Sequence, residues 1–211
     1  MTLKKVSRRP ARPPVSSTRE RILAAAIDRF SKHSYEETGL RDIAADVGVD
    51  VAYVHRCFGS KERLFAAALE ATIQPARFRI DDTDDLATNL ARQIFARDTG
   101  RSRNTAGPLD IVIRSLSSPE ASHVLRDFVS RDFIEPIASK TGSATSQRVA
   151  LVAALLTGVG ILRNVLRVTP LLETGDNELE SLVADTLRIM LGQGHGQHAA
   201  SLLNTHEHTG H

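Results

Sequence analysis

The side chains able to do chemistry in this chain are few, and most of them are cations. Cys57 is the only cysteine, so no internal disulfide framework is possible, and a packed thiol is its expected role. Five of the eight histidines, His195, His198, His206, His208 and His211, crowd the C-terminal end. Their spacing is irregular, which suits a solvated tail better than a tetrahedral metal site. Gly158-Val-Gly160 follows no strand and lies inside an apolar run, so close helix packing is its better reading than a phosphate loop. No nucleophile stands beside a base, and neither catalysis, metal nor cofactor is expected. What remains is one short stretch carrying Arg41, Tyr53, His55, Arg56 and Lys61. Cations around one aromatic hydroxyl suit contact with phosphates.

The charge distribution agrees. Residues 1–64 carry 13 Lys/Arg against 8 Asp/Glu, whereas the remainder carries 14 against 17. A basic head on a mildly acidic body points to a polyanion at one end. Residues 1–17 form a basic arm, expected to be disordered, with Lys4, Lys5, Arg8, Arg9 and Arg12 and no acid. Such an arm is either a solvated tail or a source of extra phosphate and minor-groove contacts. It has no apolar h-region, so it is no secretory signal. No apolar run reaches the ~18 residues that span a bilayer. Residues 149–162 come nearest, with Arg148 and Arg163 at the flanks, and are expected to be a helix buried in protein. A cytoplasmic protein without membrane contact is expected.

The elements that must position these groups read as helices throughout. Aromatics are 4% of the chain and Trp is absent, so Leu, Val, Ile and Ala carry the packing. Apolar periodicity and caps predict helices over 18–32, 40–47, 51–57, 61–72, 83–97, 108–117, 119–139, 145–168 and 177–191. Thr18, Gly39, Asp50, Ser60 and Thr83 are the expected N-caps, Thr18 with Arg21 where a capping box needs Glu. Pro75 and Pro136 should kink or interrupt their segments. The fold class is therefore all-α. A head over 18–72 precedes a larger helical body over 73–191 and a His/Gly-rich tail over 192–211.

Residues 40–58 hold the clearest structural signal. Two short helices cross steeply only where the junction is tight. Ala44 puts a methyl at the crossing, and Gly48 supplies the left-handed turn. Ile43, Val47, Val49, Val54 and Cys57 then face inward, leaving Arg41, Asp46, Tyr53, His55 and Arg56 outside. That pattern is a helix-turn-helix.

Residues 19–69 resemble the TetR family of bacterial regulators. The resemblance is carried by Ile22-Leu23-Ala24-Ala25-Ala26, Phe30, Tyr35, Thr38, Leu40-Arg41-Asp42-Ile43-Ala44, Val47-Gly48-Val49, Phe58 and Ser60-Lys61-Glu62-x-Leu64. It implies a DNA-binding head on a dimeric body that takes a small effector. The recognition helix would present Val51, Ala52, Tyr53, His55 and Arg56 to a major groove, with Arg41 and Lys61 at phosphates. The implied partners are a palindromic double-stranded operator, a second copy of the chain and an unidentified small molecule. Three positions depart from the family pattern: Ser34 stands where Gly is usual, Gly39 where Thr or Ser is, and His55 where Tyr is. His55 would donate to phosphate only when protonated.

In the body, Ala150, Ala153, Ala154, Thr157 and Gly158 offer a small-residue face. Leu179, Leu182, Val183, Thr186, Leu187 and Met190 form a stripe on the last helix. Together they would make a four-helix dimer interface, or else a core within one subunit. The family resemblance implies an effector pocket. Candidate lining is Phe95, Ile113, Leu116, Phe128, Phe133 and Leu156, with Arg131, Asp132 or Glu135 to orient a polar ligand. A body serving as a protein-interaction module without small effector is the alternative.

Overall fold

The computed structural model of the protein describes residues 17–73, 85–95, 108–142, 144–173 and 176–193. The basic arm (before Ser17), Pro75, Thr83, the 99–107 loop and the tail histidines lie outside the described residues. Every element among the described residues is helical. They are α1 (Thr18–Lys32), α2 (Leu40–Val47), α3 (Val51–Phe58), α4 (Lys61–Ile73), α5 (Leu86–Phe95), α6 (Pro108–Ser115), α7 (Pro119–Val129), α8 (Glu135–Thr141), α9 (Ser146–Gly160), α10 (Pro170–Glu173) and α11 (Asp176–Leu191). Wide π turns follow α7 and α9, at Ser130–Ile134 and Ile161–Val165.

The caps show how local sequence sets these ends. The N-cap of α1 lies one residue earlier than expected. Ser17, not Thr18, is the N-cap, and it forms a complete capping box with Glu20: the Glu20 amide donates to Ser17 Oγ at 3.2 Å and the Ser17 amide to Glu20 Oε2 at 2.8 Å. Asp85 stands at the start of α5 and accepts from the Ala87 amide at 3.1 Å. Asp50 caps α3 as expected, accepting from Ala52 at 2.7 Å. Near Pro136 the α-helical ladder is interrupted: a π turn separates α7 from α8, and the proline sits in the first turn of α8.

Gly48 ends α2 at φ 72°, ψ 41°. The Val49 amide then reaches back to the Ala44 carbonyl at 3.0 Å, closing the helix end. A Cβ added at Gly48 would meet nothing within 4 Å, so the backbone angle alone demands glycine. Gly48→Ala should destabilise the fold by ~1 kcal/mol, read from urea unfolding. An unchanged midpoint would show that the turn relaxes.

Two apolar cores are stacked along the chain's fold. One unites the head with α6 and α7. Ile22, Phe30, Ile43, Val54, Leu64 and Phe65 share it with Ile111, Ala121, Leu125 and Phe128. Phe30, Tyr35 and Phe65 form an aromatic cluster within it, with ring centroids 5.0 to 5.9 Å apart. The other joins α5, α8, α9 and α11 through Leu90, Phe95, Ile137, Val149, Val152 and Leu187. The first core thus extends beyond the head by recruiting α6 and α7, while α5, which precedes them, packs in the second.

Polar ties hold α5 to α11. Arg188 Nε donates to Asp85 Oδ2 at 2.6 Å, and its Nη2 to Thr88 Oγ1 at 2.7 Å. Burial opposes ionisation of Asp85, but the Thr88 hydroxyl, the Arg188 guanidinium and the Ala87 amide together hold its carboxyl below the usual range. A depressed folded pKa gives stability that is present above the unfolded value, about 3.9, and lost as pH falls through the folded one. Asp85→Asn should thus lower stability at pH 7 by up to ~1 kcal/mol, a small figure because both partners are a third exposed. The gap to wild type should close in melting curves run below about pH 4. A gap constant with pH would remove the ion pair as its cause.

The 20-residue helix spanning α9 and its π turn, Ser146–Val165, is long and apolar enough by length and composition to cross a membrane. It is not wholly buried, contrary to the sequence expectation. Val149, Val152, Gly160 and Arg163 point into protein, whereas Ala150, Leu151, Ala154 and Leu162 are exposed. Gly160 packs tightly, since a Cβ there would meet Leu109 Cδ1 at 3.0 Å; Gly158 faces open space.

Candidate functional site

The sequence-predicted cations Arg41, on α2, and His55 and Arg56, on α3, are exposed, and Lys61 opens α4. Arg41 is exposed at the start of α2. On α3, Ala52, His55 and Arg56 are exposed, whereas Val51 and Tyr53 lie half-buried against the head core. Val54 and Phe58 anchor the opposite side. The outer face of α3 is thus free, and its inner face holds it rigid.

Three groups have partners within the chain. The Arg56 guanidinium lies 4.7 Å above the Tyr53 ring, one turn away. Stacking of this kind pre-orders a long side chain at an exposed position. His55 Nδ1 lies 2.9 Å from the Gly59 carbonyl at the end of α3. With Nδ1–H donating there, the outward Nε2 donates to an anion only when the ring is protonated. Lys61 Nζ lies 4.1 Å above the Tyr35 ring. A cation in the first turn of α4 is opposed by the helix dipole, and the Tyr35 ring face supplies a compensating attraction within the chain.

Further contacts fix the head's internal angles. Arg29 makes a two-pronged bond to Asp46, joining α1 to α2, with Nη2 to Oδ1 at 2.8 Å. Arg21 Nη2 donates to the Val47 carbonyl at 2.7 Å, bracing the residue before the turn. Arg19 lies over Phe58, its guanidinium carbon 4.6 Å from the ring centroid. Sequence reading missed these three arginines, whose partners are far along the chain.

A cavity of about 530 Å³ lies where the head's core meets the body. Ile73 of α4, Val112 of α6 and Leu125 of α7 form the wall on the head side; Leu90 and Ile94 of α5 and Leu156 of α9 form the wall on the body side. Leu116, Phe128, Phe133 and Leu156, expected as lining, are there. Phe95, Ile113 and Arg131 are not. Phe95 is buried in the body core beneath the Arg163 guanidinium, 4.9 Å from its centroid. Ile113 lies on α6 outside the cavity wall. Arg131 points outward and pairs with Asp132, which lines the cavity in its place. Gln93, Ser122, Arg126, Ser130 and Asn164 are polar lining residues that sequence reading missed.

The expected dimer residues divide. Ala150, Ala154 and Leu182 are exposed; Leu179, Thr186, Met190 and Gly158 are half-buried. Val183 and Leu187 are buried in the subunit's own core, so they cannot meet a partner as predicted. Ala153 and Thr157 line the cavity. Ile189, at 71% exposure the most open large apolar residue described, was not anticipated. Among the described residues no group of three His, Cys, Asp or Glu side chains is placed to hold a metal.

A helix-turn-helix head with a rigid, basic outer helix, set on a hollow helical body, defines a DNA-binding transcription regulator. The family description "Bacterial regulatory proteins, tetR family" matches residues 22–68, and "Tetracyclin repressor-like, C-terminal domain" matches residues 84–191. The chain belongs to the TetR family. No curated protein matches it in sequence. Among solved structures it is similar to a TetR-family regulator from Streptomyces coelicolor A3, at 25% identity and TM-score 0.54, covering 83% of this chain and 94% of that one. It is also similar to the multidrug binding protein EbrR complexed with ethidium, at 20% identity and TM-score 0.56, covering 82% and 98%. A transcriptional regulator from Rhodococcus sp. Rha1 aligns at 22% identity and TM-score 0.54, covering 84% and 95%.

Proposed function

We propose that the protein is a homodimeric repressor, released from a palindromic operator when a small molecule enters the cavity. One observation carries this reading: the cavity's wall is also the head's core. Leu125 and Phe128 are buried members of the core that holds Phe30 and Val54, and Ile73 and Val112 pack against it. A ligand that moves α6 or α7 therefore acts directly on the seat of the head. Two hydrogen bonds stiffen that link: Arg114 Nε to the Ser31 carbonyl at 2.8 Å, and Ser118 Oγ to Glu36 Oε1 at 2.5 Å. A ligand shifts the equilibrium between head spacings only if it binds one better.

The groove contacts we assign are Val51, Ala52, Tyr53, His55 and Arg56, with Arg41 and Lys61 at phosphates. The apolar face for a second copy combines Ala150, Leu151 and Ala154 of α9 with Leu179, Leu182, Thr186, Ile189 and Met190 of α11. The same reading makes the protein cytoplasmic and non-catalytic.

Fluorescence anisotropy with the chain's own upstream DNA tests the reading. Affinity should fall with added salt, with a log–log slope of about −0.9 per phosphate contacted. Binding without sequence preference over random duplex would remove the operator assignment.

A further inference from the structure

On the outer face of α3, His55 is the exposed side chain whose charge changes near neutral pH. Its surroundings dictate what that change does. The Gly59 carbonyl lies 2.9 Å from Nδ1, so a proton must stand between them. Were Nδ1 bare, two lone pairs would face each other. The neutral ring therefore keeps its proton on Nδ1 and leaves Nε2 bare, an acceptor that phosphate oxygens repel. A second proton turns Nε2 into a charged donor without moving the ring. Gly59 holds the carbonyl in place: its φ is 84°, and a Cβ there would meet Arg63 Nη1 at 3.3 Å.

The charged groups of the elements packed around α3 do not offer that proton a counter-ion. On α3 itself, Arg56 follows His55, and Asp50 lies at the far end, accepting from the Ala52 amide at 2.7 Å. From α1, Arg19 covers the Phe58 ring, one turn beyond His55. From α4, Arg63 stands at Gly59 and Lys61 at the Tyr35 ring, while Glu62 accepts from the Ser60 hydroxyl. On α2, Arg41 is exposed, Asp42 accepts from the Gly39 amide at 3.1 Å, and Asp46 is held by Arg29. The acids are thus engaged elsewhere, and the cations cluster at the end of α3 where His55 stands. A phosphate docked there supplies the anion that favours the protonated ring.

We propose that the grip on DNA is proton-linked: His55 takes up a proton as its Nε2 docks on a backbone phosphate, so affinity rises as pH falls. This rests on the reading of α3 as the helix that faces DNA, and adds the proton to that reading as a regulating ion. The sign follows from linkage. The complex favours the protonated ring, so binding is tighter where more of that form is present.

Fluorescence anisotropy on the full chain at pH 8 and pH 6, with its own upstream duplex and with a random duplex, tests the link. The random duplex serves because a phosphate contact carries no sequence information. Wild type should bind both duplexes about tenfold more tightly per half-site at pH 6, the worth of one charge-assisted hydrogen bond. Its salt slope should steepen by about 0.9 per half-site. His55→Phe should lose both gains. Should that variant fail to fold, His55→Gln, which is neutral at both pH values, takes its place. Calorimetry at pH 7 in two buffers of different ionisation enthalpy should record up to about one proton taken up per half-site, absent from the variant. Equal pH dependence in wild type and variant overturns the proposal. So do tighter wild-type binding at pH 8 than at pH 6, and no binding to either duplex. A pH gain on both duplexes without preference for the upstream one keeps the proton link and removes the operator reading. Preference for the upstream duplex without the pH gain does the reverse.

Discussion

Leu182→Glu with Ile189→Glu is expected to leave the protein monomeric at micromolar concentration and to weaken operator binding by roughly two to four orders of magnitude. Leu182 is 62% exposed and Ile189 71%, seven residues apart and hence on one face of α11. Single exposed apolar residues are normal, but α11 packs beside α9, which itself exposes Leu151, Ala150 and Ala154. In the proposed dimer the double variant would bury four carboxylates without partners, at several kcal/mol each. The monomer should keep its fold, because both side chains lie outside its core. Each head would then bind one half-site alone and lose the effective concentration that the second supplies. Sedimentation equilibrium and anisotropy check the two halves of the prediction together. A double variant that stays dimeric and binds DNA normally would move the interface elsewhere.

The head was legible because its signals are local. Ala44, Gly48 and Asp50 act within four residues of the turn they build, so α2 matches its expected bounds and α3 differs by one residue. The one error at α1 is also local. Ser17 and Thr18 both offer a hydroxyl, and the box partner Glu20 stands three residues after Ser17, which selects the earlier cap. Pro136 signalled an interruption, but its form did not show: the π turn at Ser130–Ile134 leaves no trace in apolar periodicity.

The body was legible in its elements but not in which way each face points. An apolar stripe on α11 says only that something covers it. Val183 and Leu187 are covered by α5 and α9 of the same chain, and Leu182 is not. Distinguishing them requires the helix's rotation, which tertiary packing fixes. The cavity shows the same limit. Phe95 and Phe128 look alike in sequence, yet Phe95 completes a core while Phe128 forms a wall. Arg131 and Asp132 are neighbours, and the turn between them sends the acid inward and the base out.

Arg56→Ala should weaken operator binding by ~1–3 kcal/mol per half-site, hence by about twice that for a dimer engaging both. The guanidinium is exposed and stacked on Tyr53, so its removal costs the fold little while withdrawing a pre-ordered cation from the outer face of α3. How the loss responds to salt tells what Arg56 touches. A phosphate contact would lower the salt slope by about one per half-site and weaken all sequences alike. A guanine contact would leave the slope nearly intact and relax preference at one position. Tyr53→Ala should reproduce part of either effect, because it removes the ring that holds the guanidinium in place. Tyr53→Phe keeps the ring and should retain the Arg56 contribution. If Arg56→Ala binds with wild-type affinity at every salt concentration, α3 does not read DNA through this residue, and Arg41 and Lys61 become the cations to test.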